Sequence, residues 1–272
     1  MLKQRVITAV VLVPLFIWAI FSLPNPSFAI LFALIAALGA TEWCRLAGIP
    51  AGFASGSFSA TVVVVMGLMW VIPAGNDALL MLLFGGVFAW WLLVLAMVLN
   101  YPNGHLLKSR SFKVFAGLLL LPPCWFALVT LHDRLNDGPA YVLFLLSLIW
   151  VADSAAYFAG RQWGHKKMAP NVSPGKTMAG LWGAVVGGAL WSVVGIVWLQ
   201  PEQSLGFIGL CMVTVLFSIL GDLAESMFKR NAGVKDSGRL LPGHGGVLDR
   251  IDSITAAAPI FVLGLLLLEC GL

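Results

Sequence analysis

The sequence predicts an all-α, polytopic integral membrane protein with about nine transmembrane helices. Three observations predict this fold class. Hydrophobic residues make up 60% of the 272 residues, the mean hydropathy is +0.95, and only 28 residues carry a formal charge, 16 of them basic and 12 acidic. A water-soluble domain of this length would need far more polar side chains to cover its surface.

Nine apolar runs are predicted to cross the membrane, because runs of roughly 18 or more residues span the hydrocarbon core of a bilayer. The second and ninth runs are short or interrupted, so eight is the alternative count. Turn-forming segments separate several of them, such as Pro24-Asn25-Pro26 and Tyr101-Pro102-Asn103-Gly104. In chain order the runs are residues 6–23, 27–43, 53–73, 78–99, 112–131, 140–160, 178–199, 205–225 and 253–270.

Two of the runs carry residues with predicted structural roles. Pro122 and Pro123 lie inside the fifth run and predict a kink, which membrane helices tolerate when neighbouring groups satisfy the freed carbonyls. Gly180, Gly183 and Gly187 form a stripe of small residues along the seventh run. Such a stripe predicts close packing against another helix.

The distribution of Lys and Arg predicts the orientation of the chain. With nine spans, fifteen of the 16 basic residues fall on one side of the membrane and only Arg134 falls on the other. Since basic loops stay in the cytoplasm, the N-terminus is predicted to be cytoplasmic and the C-terminus outside. The fifteen are Lys3, Arg5, Arg45, Lys108, Arg110, Lys113, Arg161, Lys166, Lys167, Lys176, Lys229, Arg230, Lys235, Arg239 and Arg250.

Two kinds of site are not supported by the composition. The net charge of +4 is explained by the basic loops that the topology demands, so no nucleic-acid partner is predicted. The four cysteines, Cys44, Cys124, Cys211 and Cys270, are scattered and form no CxxC pair. They indicate neither a zinc site nor a disulfide framework.

The chain divides by role at about residue 135. Residues 1–135 are almost wholly apolar and are predicted to be a scaffold, whereas residues 136–272 carry the polar residues. In the eighth run these residues recur at spacings that place them on one side of a helix. An Asp within a span costs about 2.5–3.5 kcal/mol, so Asp153 and Asp222 are expected to face a polar cavity rather than lipid. The polar residues at the end of the eighth run and just beyond it are Ser218, Asp222, Glu225, Ser226 and Lys229.

The segment from Ser226 to Asp252 has the densest charge in the chain. Nine of its 27 residues are Lys, Arg, Asp or His, against 10% charged residues overall. Asp249 and Asp252 are three residues apart and project from one face of a helix start. Together with Asp222 they suit a hard divalent cation, with Mg²⁺ favoured. The alternative is an Asp–Arg pair that only caps a helix.

Basic residues in the same segment indicate phosphate binding, because Arg and Lys are the usual phosphate ligands. His244 lies between Gly243 and the pair Gly245-Gly246, where the backbone can approach an anion closely. Asp236 is either a metal ligand or a partner of Lys235. Outside the segment, Lys176 belongs to a Gly-Lys-Thr sequence without the rest of a nucleotide P-loop, but it is expected to reach phosphate at the membrane surface. The basic residues of the segment are Lys229, Arg230, Lys235, Arg239 and Arg250.

The segment resembles the signature of the phosphatidate cytidylyltransferases, also called CDP-diacylglycerol synthases. Four pieces match: Ser226-x-x-Lys229-Arg230, Lys235-Asp236, Pro242-x-His244-Gly245-Gly246 and Asp249-Arg250-x-Asp252. The match covers a tenth of the chain without a departure from the pattern. The nine-span layout is also similar to that of the bacterial members.

The resemblance implies an enzyme that joins CTP and phosphatidic acid to give CDP-diacylglycerol and pyrophosphate. It further implies Mg²⁺ dependence with a second cation, a homodimer with contacts in residues 1–135, and a place in the bacterial cytoplasmic membrane with the active site facing the cytoplasm. The expected catalytic residues are Asp222, Lys229, Arg230, Lys235, Asp236, His244, Asp249, Arg250 and Asp252. The expected phosphate-binding residues are Lys176, Lys229, Arg230, Lys235, Arg239 and Arg250, and the expected metal ligands are Asp222, Asp249 and Asp252.

Other membrane functions stay open at this point. One is a CTP-dependent enzyme acting on another lipid, such as a polyprenol kinase or an isoprenoid-lipid cytidylyltransferase. Another is an ion or solute transporter using Asp153 and Asp222, although the charges cluster at one membrane face. The tandem-Asp pattern of the CDP-alcohol phosphatidyltransferases is absent from the sequence.

Overall fold

The computed structural model of the chain describes residues 13–73, 75–135, 137–238, 240 and 245–270. In this part of the chain, eight helices are long and apolar enough to cross a membrane, and the predicted all-α polytopic membrane fold is confirmed. The helices are α1 (described over Val13–Ser22), α2 (Asn25–Ala47), α3 (Phe53–Trp70), α4 (Asp77–Asn100), α5 (Arg110–Arg134), α6 (Gly138–Trp163), α7 (Met178–Leu199), α8 (Ser204–Asn231) and α9 (Leu248–Glu269).

The first predicted span, residues 6–23, is described only in part. Its described part, Val13–Ser22, is an apolar helix, and residues 6–12 lie outside the described residues. The orientation of the chain in the membrane stays a prediction.

The helices belong to two compact units that interleave along the sequence. Unit 1 comprises Met1–Gly75, His105–Leu143 and Phe228–Asp252, and unit 2 comprises Asn76–Gly104, Phe144–Met227 and Ser253–Leu272. The chain passes from one unit to the other within α6, α8 and α9. The sequence analysis divides the chain at residue 135 by predicted role. The two units are defined by contacts within the chain, so they do not test that division.

In unit 1, α5 packs against α2 and α3. In the most apolar stretch of α5, 78% of the residues are buried. Pro122 and Pro123 belong to this stretch, so these prolines lie inside the protein rather than against lipid. Trp43 of α2 is fully buried, and its indole Nε1 donates a hydrogen bond of 2.8 Å to the carbonyl oxygen of Lys113. Trp43 also packs against Phe228 of α8, with 4.7 Å between the ring centroids.

In unit 2, the predicted glycine stripe of α7 packs closely against α6, as expected. A Cβ on Gly183 would lie 2.7 Å from the carbonyl oxygen of Ala155, and one on Gly180 would lie 3.0 Å from that of Ala156. A second packing centre of this unit consists of three fully buried rings, Phe144, Phe207 and Phe261. The α6–α7 pair therefore has little room for a larger side chain at Gly180 or Gly183.

A small antiparallel hairpin joins α6 to α7 in unit 2. Its strands are β1 (Lys167–Ala169) and β2 (Ser173–Thr177), and Thr177 then caps α7 by accepting a hydrogen bond of 3.1 Å from the amide of Gly180. The sequence did not predict these strands, because β2 reads Ser-Pro-Gly-Lys-Thr and lacks strand-like alternation. The hairpin places Lys176 at the start of α7.

Candidate active site

The polar residues of unit 2 meet where α6, the hairpin and α8 come together. The ammonium nitrogen of Lys176 lies 2.8 Å from Oδ2 of Asp222 and donates a hydrogen bond of 3.4 Å to the carbonyl oxygen of Ile219. Ser226, one turn after Asp222 on α8, donates a hydrogen bond of 3.3 Å to Oδ1. The Asp222 side chain stays 34% exposed, so the ion pair leaves it accessible.

A polar cavity of about 460 Å³ opens beside this ion pair. Asp153 of α6 lines it together with Asp222, as the sequence predicted, and it interacts electrostatically with both Lys176 and Asp222. Arg161 adds a second cation to the wall, which also includes Gly160 and Gly180. Two carboxylates and two cations around one cavity suit a ligand that carries phosphate groups and a metal ion.

An apolar cavity of about 640 Å³ lies next to the polar one in the same unit. Residues of α4, the hairpin and α8 line it, and Met168 and Ile219 line both cavities. The polar cavity therefore adjoins a space suited to hydrocarbon. Among the lining residues of the apolar cavity are Phe88, Leu92, Leu95, Pro170, Leu216, Phe217 and Leu220.

Unit 1 holds the second group of predicted site residues, centred on Asp249 in the first turn of α9. Oδ1 of Asp249 lies 2.7 Å from the ammonium nitrogen of Lys229, and the side chains of the pair are only 8% and 11% exposed. Oδ2 accepts hydrogen bonds from the amides of Gly246 at 2.7 Å and Ser237 at 3.1 Å. A carboxylate in the first helical turn is also stabilised by the helix dipole. Asp249 is thus firmly held in its place.

The described glycines of the loop, Gly245 and Gly246, lie close to carboxylate oxygens of the protein itself, and the predicted approach of the loop to a bound anion stays a prediction. Gly245 has φ of +86°, a conformation that favours glycine, and a Cβ there would lie 2.7 Å from Oδ2 of Asp249. At Gly246 a Cβ would lie 2.6 Å from Oε1 of Glu42. His244 and Arg239 lie outside the described residues.

Glu42 is a site residue that the sequence analysis missed. It lies near the end of α2 and accepts hydrogen bonds from the amides of Val247 at 3.1 Å and Leu248 at 2.8 Å, and from the hydroxyl of Ser237 at 3.0 Å. Its signal in the sequence is plain, because Glu42 is the only acidic residue in α2. An acidic residue in an apolar helix should be treated as a candidate functional residue.

The other predicted site residues differ in exposure. Arg230, Lys235, Asp236 and Arg250 are exposed, and Asp252 is half-buried on α9. Solvent-facing basic side chains are suited to a soluble, anionic ligand. Asp222 belongs to unit 2 and Asp249 and Asp252 to unit 1, so their convergence on one metal ion stays a prediction.

The donor chemistry of unit 2 fits Mg²⁺. Proteins commonly bind this ion through one or two carboxylates and leave its other positions to water and phosphate oxygens. Asp222 and Asp153 offer two carboxylates in one cavity. Within the described residues, no group of three or more His, Cys, Asp or Glu side chains is arranged to hold a metal, so a protein-only cage is not formed there.

Comparisons with known proteins show which family the chain belongs to. The model of the cytidylyltransferase family matches residues 3–268. The phosphatidate cytidylyltransferase of Pseudomonas aeruginosa is 43% identical over 266 residues, which are 96% of both chains. That of Haemophilus influenzae is 39% identical over 285 residues, covering 96% of this chain and 97% of the relative. That of Brucella suis is 38% identical over 203 residues, covering 66% and 73%. The chain therefore belongs to the cytidylyltransferase family and is a membrane-embedded nucleotidyltransferase.

Proposed function

We propose that the protein transfers CMP from CTP to phosphatidic acid, giving CDP-diacylglycerol and pyrophosphate. The observation that carries this proposal is the polar cavity of unit 2, with its Lys176–Asp222 pair, directly beside an apolar cavity. A phospholipid needs both environments, one for its phosphate and one for its acyl chains. The names of relatives that match nearly the whole chain support the same reaction.

In the proposed reaction, a phosphate oxygen of phosphatidic acid attacks the α-phosphorus of CTP. A new P–O bond forms, the bond between the α-phosphorus and its bridging oxygen breaks, and pyrophosphate leaves with that electron pair. The attacking phosphate is already anionic at neutral pH, so the main obstacle is repulsion. Two like charges at 4 Å repel by about 4 kcal/mol at an effective dielectric constant near 20.

Basic residues of the chain offset this repulsion in our proposal. Lys176 lines the polar cavity and would bind the lipid phosphate. Positive charge placed where the pyrophosphate charge develops would lower the barrier of the reaction. The proposed residues for that role are Lys229, Arg230, Lys235, Arg239 and Arg250, with His244 and Asp236 beside them.

The proposed metal ligands are Asp222, Asp249 and Asp252, and Asp153 joins them because it lines the same cavity as Asp222. When bound, Mg²⁺ would neutralise phosphate charge and fix the α-phosphate for in-line attack. A second cation, a homodimer, and a cytoplasmic active site in a bacterial inner membrane complete the proposal. The position of the basic residues along the sequence supports that orientation.

A product assay tests the proposed reaction. The purified protein is incubated with labelled CTP, phosphatidic acid and Mg²⁺, and we expect a labelled lipid with the mass of CDP-diacylglycerol together with pyrophosphate. A chelator should abolish the reaction, and added Mg²⁺ should restore it. Asp222→Asn should be inactive, whereas Asp133→Asn, an exposed carboxylate at the end of α5, should retain wild-type activity.

The same assay is repeated with isoprenoid substrates for comparison. A product formed only with a polyprenol or an isoprenyl phosphate would assign the chain to the alternative class of CTP-dependent lipid enzymes. Activity unaffected by the chelator would contradict the metal assistance. Wild-type turnover in Asp222→Asn would remove the proposed ligand from the mechanism.

A further inference from the structure

Arg161 lines the polar cavity of unit 2 but lies outside the signature segment from Ser226 to Asp252. It belongs to the last turn of α6, and its Nη1 donates a hydrogen bond of 3.4 Å to the hydroxyl oxygen of Tyr157, which lines the same cavity. The Tyr157 ring in turn packs edge-on against Phe158, with 5.4 Å between the ring centroids. The last turns of α6 therefore hold the guanidinium at the wall of the cavity.

The two cations of the cavity differ in the N–H donors that they can offer to a ligand. An ammonium has three N–H donors, and Lys176 uses one towards Asp222 at 2.8 Å and one towards the carbonyl oxygen of Ile219 at 3.4 Å. A guanidinium has five donors in a planar fork. Among the hydrogen bonds of the described residues, Arg161 uses only the one to Tyr157. Arg161 is therefore the main source of donors for an anion in this cavity.

Close packing between the end of α6 and the start of α7 fixes the two cations relative to each other. A Cβ on Gly160, the residue before Arg161, would lie 3.0 Å from the hydroxyl oxygen of Thr177, the residue after Lys176. A Cβ on Gly164 would lie 2.8 Å from the same oxygen. Because the backbone segments that carry the two cations are in contact, one ligand in the cavity can reach both.

Exposed aromatic side chains indicate that this end of α6 lies at the depth of the lipid headgroups. Tyr157, Phe158 and Trp163 are all exposed, and such residues are enriched where the membrane meets water. The exposed Lys166 follows them, as expected near a surface of anionic lipids. We therefore expect Arg161 to lie at the level of a phospholipid phosphate, while the apolar cavity adjoins its own cavity.

The phosphate of phosphatidic acid has one more terminal oxygen than a guanidinium fork can bind. A phosphate monoester carries three terminal oxygens, and Arg binds two of them side by side. In the proposed reaction, one terminal oxygen forms the new bond to the α-phosphorus of CTP while the bond from that phosphorus to the leaving pyrophosphate breaks. Two oxygens thus remain for the fork throughout the reaction.

We propose that Arg161 binds the lipid phosphate of phosphatidic acid through two of its terminal oxygens and presents the third to CTP. The proposal rests on the proposed function and names the residue that binds the lipid phosphate there. Lys176 contributes its remaining N–H to the same phosphate while it stays paired with Asp222. Tyr157 is a positioning residue, because its hydroxyl orients the guanidinium without touching the substrate.

Arg161→Ala tests this role with two separate readouts. Equilibrium binding of a short-chain phosphatidic acid is measured by calorimetry on the purified protein in detergent, with Mg²⁺ and without CTP. We expect the affinity to fall roughly tenfold, because hydrogen bonds between charged groups are lost. In the steady state, the KM for phosphatidic acid should rise by a similar factor, whereas the KM for CTP should stay within about twofold of wild type.

Arg161→Lys separates the fork from the charge. Lys keeps the positive charge but cannot bind two oxygens in one plane, so we expect its affinity for phosphatidic acid to lie nearer to that of Arg161→Ala than to that of wild type. Tyr157→Phe should weaken the binding less, by about threefold. Its effect should be non-additive with Arg161→Ala, because the hydroxyl acts through the guanidinium.

Lys166→Ala is the matched control. Lys166 is exposed, lies five residues after Arg161 in the sequence and is absent from the described walls of both cavities. Its removal takes the same charge from the protein without touching the polar cavity. The affinity for phosphatidic acid and both KM values should stay at the wild-type level.

The outcomes separate this proposal from the proposed function. A rise in the KM for CTP with unchanged binding of phosphatidic acid would place Arg161 at the nucleotide and overturn the proposal. Wild-type affinity in Arg161→Lys would refute the two-oxygen contact, also if Arg161→Ala does not fold, and an equal loss in Lys166→Ala would reduce the effect to surface charge and overturn it as well. A wild-type protein that forms no CDP-diacylglycerol would refute the proposed function, while the calorimetry would still decide whether Arg161 binds the lipid phosphate.

Discussion

At the scale of single residues, two of the proposed metal-ligating aspartates have opposite environments. Asp222 is about a third exposed, faces a cavity and pairs with Lys176. Asp249 is nearly buried, pairs with Lys229 and accepts two backbone amides through Oδ2. A carboxylate that faces a cavity can bind a solute, whereas one that is saturated by protein donors organises its surroundings. We therefore expect Asp222 to bind the proposed metal ion. We expect Asp249 to hold the neighbouring backbone amides and Lys229 in place as well as to bind that ion.

Asp249→Asn should abolish activity while leaving a folded membrane protein. The amide group of Asn would face either the Lys229 ammonium or the two backbone N–H donors, so at least one of these contacts becomes repulsive, and the nearly buried ion pair with Lys229 is lost. We expect kcat/KM to fall by roughly a hundredfold or more. Enzyme kinetics, with gel filtration in detergent to verify folding, provides the measurement. Activity within about twofold of wild type would refute both roles of Asp249.

At the scale of secondary structure, helix α8 contributes residues to the walls of both cavities. Its polar residues Ser218, Glu225 and Lys229 are buried in the protein, and Ser226 contacts Asp222 one turn away, as the spacing predicts. Its residues Leu216, Phe217 and Leu220 line the apolar cavity. In the proposed function, a single helix that lines both cavities would hold a lipid phosphate and its acyl chains in a fixed relation.

Leu216→Trp should obstruct the apolar cavity and weaken the binding of phosphatidic acid. Leu216 is 46% exposed, so the larger ring can enter the cavity without disrupting the core. We expect the KM for long-chain phosphatidic acid to rise roughly tenfold, with little change for a short-chain lipid or for CTP. Leu205→Trp, at an 83% exposed position of the same helix, is the control. Equal effects on long-chain and short-chain lipids would contradict an acyl-chain role for this cavity.

At the scale of the whole molecule, the sequence predicts the helices well and their ends poorly. Hydropathy marks residues 205–225 and 253–270, but α8 continues to Asn231 and α9 begins at Leu248. The extra turns are polar and are held by tertiary contacts such as Lys229–Asp249. Glu42 stands out in the sequence as the only acidic residue of α2, but its role could not be predicted, because its partners lie 195 to 206 residues away and no local pattern encodes such a pairing. The β1–β2 hairpin was missed because Pro and Gly obscure its second strand.

The predicted orientation of the whole chain can be tested with one native residue. Cys270, just after α9, is exposed, whereas Cys44, Cys124 and Cys211 are buried, so a membrane-impermeant maleimide should label Cys270 alone. With the C-terminus outside, we expect labelling in right-side-out vesicles and protection in inverted ones, and Cys270→Ser should remove the signal. Lys167→Cys, in an exposed position of the hairpin, combined with Cys270→Ser should give the opposite pattern. Labelling of both sites from the same side would require a different number of crossings between them, because α7, α8 and α9 are three spans and place the two sites on opposite faces.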